Sequence, residues 1–325
     1  MSYLKFKNVY IKDYFTVVGP IEKNSKLENY NLAIDDYYYK CKTFEMAEAK
    51  MQNVVIDNLL RNNNLSQNNI NYLCGGDLIN QIAVSAYNAK NYQIPFIGMY
   101  AACATFPLEL SIAGNLIDSN NAQNIICITS SHNLTAERQF RYPTEYGNLR
   151  KKTSTFTATG AVGVILSNEI SSIKIVDATI GKVVDLGVND VNHMGAVMAP
   201  ACADTLHEHL NNLKVDPNYY DLILTGDLGC VGLSILKEYY QNVYNTKIKN
   251  IMDAGCEIFL DSDNLYSGAS GPCCLPLIFF TKILKTKKYK KILLLGTGSL
   301  HNSTLVNQHQ TIPAISHAVS IEVTR

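Results

Sequence analysis

The stretch that decides the fold is ACATFP at residues 102–107, which stands between an apolar run and an amphipathic helix. A second stretch, GPCCLP at residues 271–276, repeats this arrangement about 170 residues further along the chain. Each helix is followed by an apolar strand and a Ser-x-His-Asn tetrapeptide, at residues 130–133 and again at residues 299–302. Two βα units in the same order predict an internal duplication, and chance similarity between two such units is the alternative.

Two further segments extend this repeat. Gly76-Asp77-Leu78 follows one apolar strand, and Gly226-Asp227-Leu228 follows another. The polar stretch of residues 168–172 lies between the two sets of repeated segments and is the expected boundary between the two halves. The sequence therefore predicts an N-terminal half at residues 1–170, carrying the Cys103 elbow, and a C-terminal half at residues 171–325.

Strand and helix signals alternate along both halves. Helices are predicted at residues 44–61, 78–90, 108–117 and 274–284, and strands at residues 70–74, 95–100, 125–129, 161–166, 221–225, 291–296 and 318–323. This βαβαβ order predicts an α/β protein of two similar halves, each with a mixed, mainly parallel sheet that carries helices on its faces.

Composition excludes several classes of protein. Lys+Arg and Asp+Glu number 28 each among 325 residues, so the chain lacks the basic excess of a typical nucleic-acid binder. No apolar run approaches the roughly 20 residues of a membrane helix, and charges within residues 1–18 argue against a signal peptide. Nine cysteines without a CxxC pair make a zinc site unlikely and, in a chain expected to stay in a cytoplasm, predict reduced thiols.

Cys103 is the sharpest candidate for chemistry. It precedes a helix that is expected to start near Pro107, since proline is favoured in a first helical turn. A thiol at such an elbow faces helix N–H groups and the positive end of the helix dipole, both of which stabilise a thiolate. The alternative is a buried structural cysteine.

Acidic and imidazole side chains follow equivalent strands in the two halves. Asp77 and Asp227 are expected beyond the carboxyl ends of their strands, where ligands gather in open α/β sheets. They would bind Ca²⁺ or donate a hydrogen bond to a ligand carboxylate, and helix capping is the alternative. His132 and His301 are related by the repeat, and His317 precedes an alternating strand that could reach the pocket; a structural hydrogen-bonding role is open for these histidines.

A basic, aromatic segment at residues 133–155 is predicted to be a loop. Its cationic and aromatic members are Arg138, Arg141, Tyr142, Tyr146, Arg150, Lys151 and Lys152. Guanidinium groups grip carboxylates bidentately, and aromatic faces stack on planar rings, so the segment suits a planar carboxylate ligand. A solvated loop with its arginines paired to Glu137 and Glu145 is the alternative.

These features together resemble a known family. A duplicated αβ unit with a cysteine elbow is similar to the thiolase and ketoacyl-synthase superfamily. More specific segments resemble the stage V sporulation protein AD family over nearly the whole chain. They are GGDLINQ (75–81), TSSHN (129–133), TAERQFRYPTEYG (135–147), MAPA (198–201), DLILTGD (221–227) and IPAISHAV (312–319).

The resemblance implies a thiolase-like five-layered αβαβα fold. It also implies a protein of the developing spore that binds dipicolinic acid for uptake, with or without calcium, and needs no cofactor. Its expected partners are membrane proteins of the spore dipicolinate channel, at the inner membrane, with a homodimer also considered and nucleic acid not expected. The ligand-binding residues expected on this basis are Cys103, Asp77, Asp227, His132, Arg138, Arg141 and His317.

The chain also departs from thiolase chemistry. Thiolases pair the nucleophile with a histidine of a Gly-His-Pro segment, yet residues 267–274 contain no histidine, and residues 295–298 lack the second cysteine. Because a cysteine nucleophile needs a base, these departures predict a non-catalytic protein. The alternative is an acyl-thioester enzyme that uses Cys103 with coenzyme A or acyl carrier protein, with His132, His301 or His317 as a substitute base.

Overall fold

The computed structural model describes residues 2–25, 27–141, 151–259 and 267–324. All seven strands predicted from the sequence are present, with longer or shorter ends. The strands are β1 (Ser2–Val18), β2 (Leu32–Ala33), β3 (Tyr72–Gly76), β4 (Phe96–Gly98), β5 (Asn124–Ser131), β6 (Phe156–Thr157), β7 (Gly160–Ser167), β8 (Ile173–Ile180), β9 (Leu222–Thr225), β10 (Ile251–Asp253), β11 (Ala269–Ser270), β12 (Lys291–Ser299) and β13 (Ala314–Val323).

The helices lie mostly between these strands. They are α1 (Pro20–Lys23), α2 (Phe44–Asn62), α3 (Ala83–Ala89), α4 (Thr105–Asp118), α5 (Asn133–Arg141), α6 (Met194–Leu213), α7 (Gly229–Tyr244), α8 (Ala254–Ile258), α9 (Cys274–Ile278), α10 (Leu284–Thr286) and α11 (Ser303–Asn307). A π-helical turn, Phe279–Ile283, joins α9 to α10. In the described ranges, every helix is too short or too polar to cross a bilayer.

The two halves of the sheet share one strand order. The N-terminal strands run β4-β3-β5-β7-β1, and the C-terminal strands run β10-β9-β12-β13-β8. In each set the first three strands are parallel and the last two are antiparallel to their neighbours. The expectation that the halves share a strand order is confirmed, while the exact division at residues 170 and 171 stays a prediction.

The sheet is mixed, as expected, but it is continuous across both halves, and parallel pairs do not predominate in either half. β1 pairs antiparallel with β8, which joins both halves into one sheet of eleven strands; β6 and β11 form a separate small pair. The sequence patterns favoured parallel pairing because they emphasised the buried strands next to helices. β1 alternates charged residues such as Lys5, Lys7 and Lys12 with apolar ones, so it lacks the continuous apolar run of those buried strands.

Strand alternation explains the layered packing. In β12, Ile292 and Leu294 face a central core, whereas Leu293 and Leu295 face α6 and α7. The central core also holds Phe106 of α4 and Phe280 of the π-helical turn, whose rings meet edge to face 6.3 Å apart. α2 covers the other face of the N-terminal strands. Side chains on a strand alternate between the two faces of the sheet. Each half of the sheet can therefore pack one face against the central helices and the other face against an outer layer of helices, which gives the five layers of the expected fold.

Two local predictions are corrected by the structure. The helix expected at residues 78–90 begins only at Ala83, because Gln81 and Ile82 adopt left-handed φ angles of 64° and 48°. The basic segment expected to be a loop is helical at α5, where polar side chains cover an exposed face. Residues 142–150 lie outside the described residues.

The expectation of reduced thiols is also wrong at one place. Cys230 and Cys256 form a disulfide, with their Cα atoms 4.8 Å apart. The pairing arises because α7 and α8 begin side by side, where the carboxylate of Asp253 accepts backbone N–H bonds from Gly229 at 2.9 Å and Cys256 at 3.1 Å. Sequence spacing did not predict this approach, since the two cysteines are 26 residues apart.

Candidate functional site

The elbow between β4 and α4 places Cys103 just ahead of a helix N-terminus. Ala102 adopts a left-handed φ of 48°, and the hydroxyl of Thr105 holds the turn by donating to the Ala102 carbonyl at 2.6 Å. The backbone of β12 presses against this turn at Gly298, where a Cβ atom would lie 2.2 Å from the Ala101 carbonyl oxygen. The glycine therefore permits the close approach of the second half to the elbow.

Cys103 lines a cavity that is built from both halves. The empty space between its walls, counted out to the open mouth and including solvent there, is about 580 Å³. The lining is mostly apolar, and four of its residues carry hydroxyl groups. The lining residues are Leu78, Ala102, Cys103, Ala136, Glu137, Phe140, Thr155, Thr157, Val191, Met194, Met198, Ser270, Ser299 and His301.

The Cys103 thiol is held protonated. Burial raises its pKa well above the ordinary value, and an ionised Asp227 would raise it further. The backbone N–H of Gly271 acts in the opposite direction. The thiolate expected from the elbow position is therefore disfavoured, because burial penalises the charged form of the sulfur.

Asp227 is a fully buried, neutral acid that interacts electrostatically with Cys103 but does not itself line the cavity. Burial, and secondly the charge of Asp253, raise its pKa well above the ordinary value. Gly271 N–H and the Cys274 thiol lower it, but neither makes a well-directed hydrogen bond to the carboxyl group in the described structure. A protonated carboxyl group can donate a hydrogen bond to an anionic ligand, which an ionised one cannot.

Asp77 has a different role from Asp227, its counterpart in the sequence repeat. Its two carboxylate oxygens accept backbone N–H bonds from Ile79 at 2.8 Å and from Ser85 at 2.7 Å. These bonds tie the turn to the first residues of α3, which is the capping alternative considered from the sequence. In the second half the equivalent bonds are made by Asp253, at the end of β10, so Asp227 is left without them.

The structure does not bring His132 or His317 into the cavity lining. The Nε2 atom of His132 lies 2.8 Å from the Tyr37 carbonyl oxygen, and its ring stacks on Phe44. His317 accepts a 3.3 Å bond from the Gly181 N–H at Nδ1, and burial lowers its pKa to about 4. Both histidines are buried and have structural contacts; their role in ligand binding stays a prediction.

The two arginines of the basic segment belong to α5. Arg138 pairs with Glu45 of α2, and its side chain is 58% exposed. Ala136 and Phe140, on another face of the same helix, line the cavity. The side chain of Arg141, like Tyr142, Tyr146 and Arg150, lies outside the described residues, so its part in binding stays a prediction.

Several cavity residues were not singled out as site residues from the sequence. They include Phe140, Met198 and Ser270, with His301 considered only as a substitute base. The sequence did carry a signal for two of these residues, because Phe140 and Met198 lie inside the segments at 135–147 and 198–201 that resemble the family. Among the described residues, no group of three or more His, Cys, Asp or Glu side chains is arranged to hold a metal ion.

Comparison with known proteins identifies the relatives of the chain. A family model described as Stage V sporulation protein AD matches residues 2–322. Stage V sporulation protein AD of Bacillus subtilis (strain 168) is 38% identical over 319 residues, covering 97% of this chain and 94% of that protein.

Solved structures of low identity support the fold. An OleA variant from Xanthomonas campestris superposes with a TM-score of 0.62 at 12% identity, covering 99% of this chain and all of that one. The 3-oxoacyl-[acyl-carrier-protein] synthase III from Aquifex aeolicus VF5 gives a TM-score of 0.56 at 14% identity, with 99% and 100% covered. The thiolase-like fold expected from the sequence is confirmed.

Proposed function

The chain belongs to the stage V sporulation protein AD family, and from this premise we propose that it binds dipicolinic acid for uptake into the developing spore. The ligand would occupy the Cys103 cavity, with or without calcium. The protein would act as a binding protein rather than as an enzyme, in contact with membrane proteins of the dipicolinate channel at the spore inner membrane. A homodimer is also part of this proposal.

The observation that carries the proposal is the neutral Cys103 thiol in the cavity lining, with the neutral Asp227 carboxyl group buried close to it. Both the Cys103 thiol and the buried Asp227 carboxyl are held protonated by desolvation. Neutral donors suit a ligand carboxylate, whereas an ionised acid would repel it. The hydroxyl groups of Thr157 and Ser270 add polar groups to the lining, and the aromatic ring of Phe140 would stack on a planar ligand.

A second candidate is an acyl-thioester enzyme. It is favoured by one observation, namely that His301 lines the same cavity as Cys103. Enzymes with the same fold, such as the synthase III, are neighbours by structure. Against it, the raised pKa of Cys103 leaves little thiolate to attack a thioester at neutral pH.

The test is dipicolinate binding by surface plasmon resonance, with and without calcium, on wild type and two variants. Cys103→Ala removes a weak donor, and Asp227→Ala removes the carboxyl donor, which an asparagine amide would replace. Each is expected to weaken binding at least tenfold, since a buried hydrogen bond to a charged group is worth about 1.5–3 kcal/mol. Cys127→Ala is the matched control, because Cys127 is a fully buried cysteine of β5 that does not line the cavity.

Thermal melts of the same variants separate binding from folding. Unchanged affinity in both stably folded cavity variants would remove this cavity as the site. A covalent acyl group on Cys103, found by mass spectrometry after incubation with acyl-coenzyme A, would instead favour the enzyme.

A further inference from the structure

One edge of the second half carries a concentration of lysines, here called the basic edge. It is formed by the three chain segments that lead into β9, β10 and β12. The members are Lys214, Lys247, Lys249, Lys287, Lys288, Lys290 and Lys291. All but Lys291 are exposed. The three strands are parallel neighbours, so their beginnings meet at one edge of the sheet.

Hydrogen bonds join these segments into one surface. The Asp221 carboxylate accepts backbone N–H bonds from Lys290 at 2.7 Å and from Lys291 at 2.9 Å. Asn250 donates from its side chain to the Pro217 carbonyl at 3.0 Å. The ammonium group of Lys291 also lies 4.1 Å from the ring centroid of Tyr219. The lysines therefore belong to a connected and ordered edge rather than to separate loops.

The charge of the basic edge is not balanced locally. Residues 214–221, 245–250 and 287–291 contain seven lysines and two carboxylates, Asp216 and Asp221, which leaves five positive charges. Asp221 is engaged by the backbone, and Asp216 caps a turn through the Asn218 N–H at 2.7 Å. Glu322 of β13 is the cross-strand partner of both Lys291 and Lys174. Its negative charge is therefore already matched by the positive charge of Lys174. Since the whole chain is neutral, this edge departs strongly from the average surface.

The chemistry of the basic edge favours a lipid surface. All seven cations are lysines, which act as flexible point charges, whereas phosphate recognition in nucleic acids usually draws on the planar fork of arginine. Tyr219 and Tyr289 lie among them with partial exposure, and tyrosine beside lysine is typical of residues at headgroup depth. The depression beside Lys214 and Tyr219 is broad and open, so it offers no closed groove for a peptide.

We propose that the basic edge docks the protein on a bilayer that contains anionic lipids. The inference rests on the membrane association in the proposed function, and it does not depend on dipicolinate binding. It also fixes an orientation, because β12 begins in the basic edge at Lys291 and ends at Ser299 in the cavity lining. Nine strand residues span about 30 Å, so the cavity would face away from the bilayer.

The test is co-sedimentation of the full chain with vesicles of phosphatidylcholine containing about 30% phosphatidylglycerol, against phosphatidylcholine alone, near 0.1 M salt. Binding is expected only to the anionic vesicles. The variant Lys288→Glu/Lys290→Glu should lose at least tenfold in the partition constant, because each lysine near an anionic surface contributes about fivefold. Raising the salt concentration to about 0.5 M should also abolish binding of the wild type to the anionic vesicles.

Lys40→Glu/Lys42→Glu is the matched control. It makes the same charge change at the same spacing, on exposed lysines in the turn before α2, and should stay within about twofold of wild type. Equal losses in both variants, or no wild-type binding to anionic vesicles, would overturn the proposal. Tighter binding to duplex DNA than to the vesicles at the same salt would assign the edge to nucleic acid and overturn it too.

Dipicolinate affinity is measured on the same preparations. The basic-edge variant should keep wild-type affinity for the ligand, since its lysines lie at the far end of β12 from the cavity. If wild type sediments with anionic vesicles but binds no dipicolinate, the proposed ligand fails while the docking surface stands. A parallel loss of ligand affinity and vesicle binding in the variant would indicate a folding defect and contradict a distinct docking edge.

Discussion

Replacing the buried Glu22 by glutamine is expected to flatten the pH dependence of stability. Glu22 lies in the first turn of α1, and its Oε1 atom accepts a 3.0 Å bond from the Thr159 N–H. Its Oε2 atom is buried without a hydrogen-bond partner in the described structure. Burial raises the pKa of this carboxyl group to about 7 from 4.5, despite the Thr159 bond, which lowers it.

The sign and size of the effect follow from proton linkage. Between pH 4.5 and about 7 the folded protein keeps a proton on Glu22 that the unfolded chain has lost, so the free energy of unfolding falls as the pH rises. The two and a half pH units correspond to about 3 kcal/mol, at roughly 1.4 kcal/mol per unit. This penalty is absent below pH 4.5 and complete above pH 7, and Glu22→Gln removes it.

The assay is reversible urea unfolding at several pH values between about 5 and 8. The amide group of Glu22→Gln leaves a buried N–H donor that costs about 1–3 kcal/mol at every pH, so the slopes against pH are compared rather than absolute stabilities. Wild type should lose about 2–3 kcal/mol more than the variant across this range. Exposed Glu28→Gln is the control and should follow wild type. Parallel slopes for wild type and Glu22→Gln would refute the reasoning.

Three further predictions concern the elbow, the cap and the disulfide. Cys103 should react with iodoacetamide more slowly than free cysteine at neutral pH and faster as the pH rises, as followed by mass spectrometry; fast labelling near pH 7 would mean that thiolate is present. Asp77→Ala should lower stability by about 0.5–2 kcal/mol in urea unfolding, with Asp77→Asn less affected, and equal stabilities would contradict a capping role. Reducing Cys230–Cys256 should cost up to about 3.5 kcal/mol for a loop of 26 residues, and a reductant should leave the melting temperature of Cys230→Ser/Cys256→Ser unchanged.

The sequence predicted the buried part of the fold well. Strands such as β5 and β12 are continuous apolar runs, because both their faces pack against helices, and such runs are easy to recognise. The central pair β1 and β8 was not predicted, since β1 mixes charged and apolar residues and β8 has polar positions at Lys174 and Asp177. Their strand character depends on pairing with each other, which no local pattern reports.

The candidate site was only partly predictable. Cys103 follows from the elbow pattern, but the protonation of its thiol depends on burial that arises from both halves. Asp77 and Asp227 occur in the same tripeptide, yet one caps α3 and the other has no such partner, because Asp253 already binds the N-terminus of α7. The cavity residues Phe140 and Ser270 come together only through the folding of distant segments.

The pairing of β1 with β8 has a mechanical consequence for the cavity. The two halves are joined by the β1–β8 strand pair and by one central hydrophobic core. A hinge motion that separates them would therefore break hydrogen bonds between these strands. A molecule therefore enters or leaves without a hinge motion between halves. At the rim, α5 is a single short helix that contributes Ala136 and Phe140 to the lining, so we expect admission to depend on displacement of this one helix against an otherwise fixed cavity.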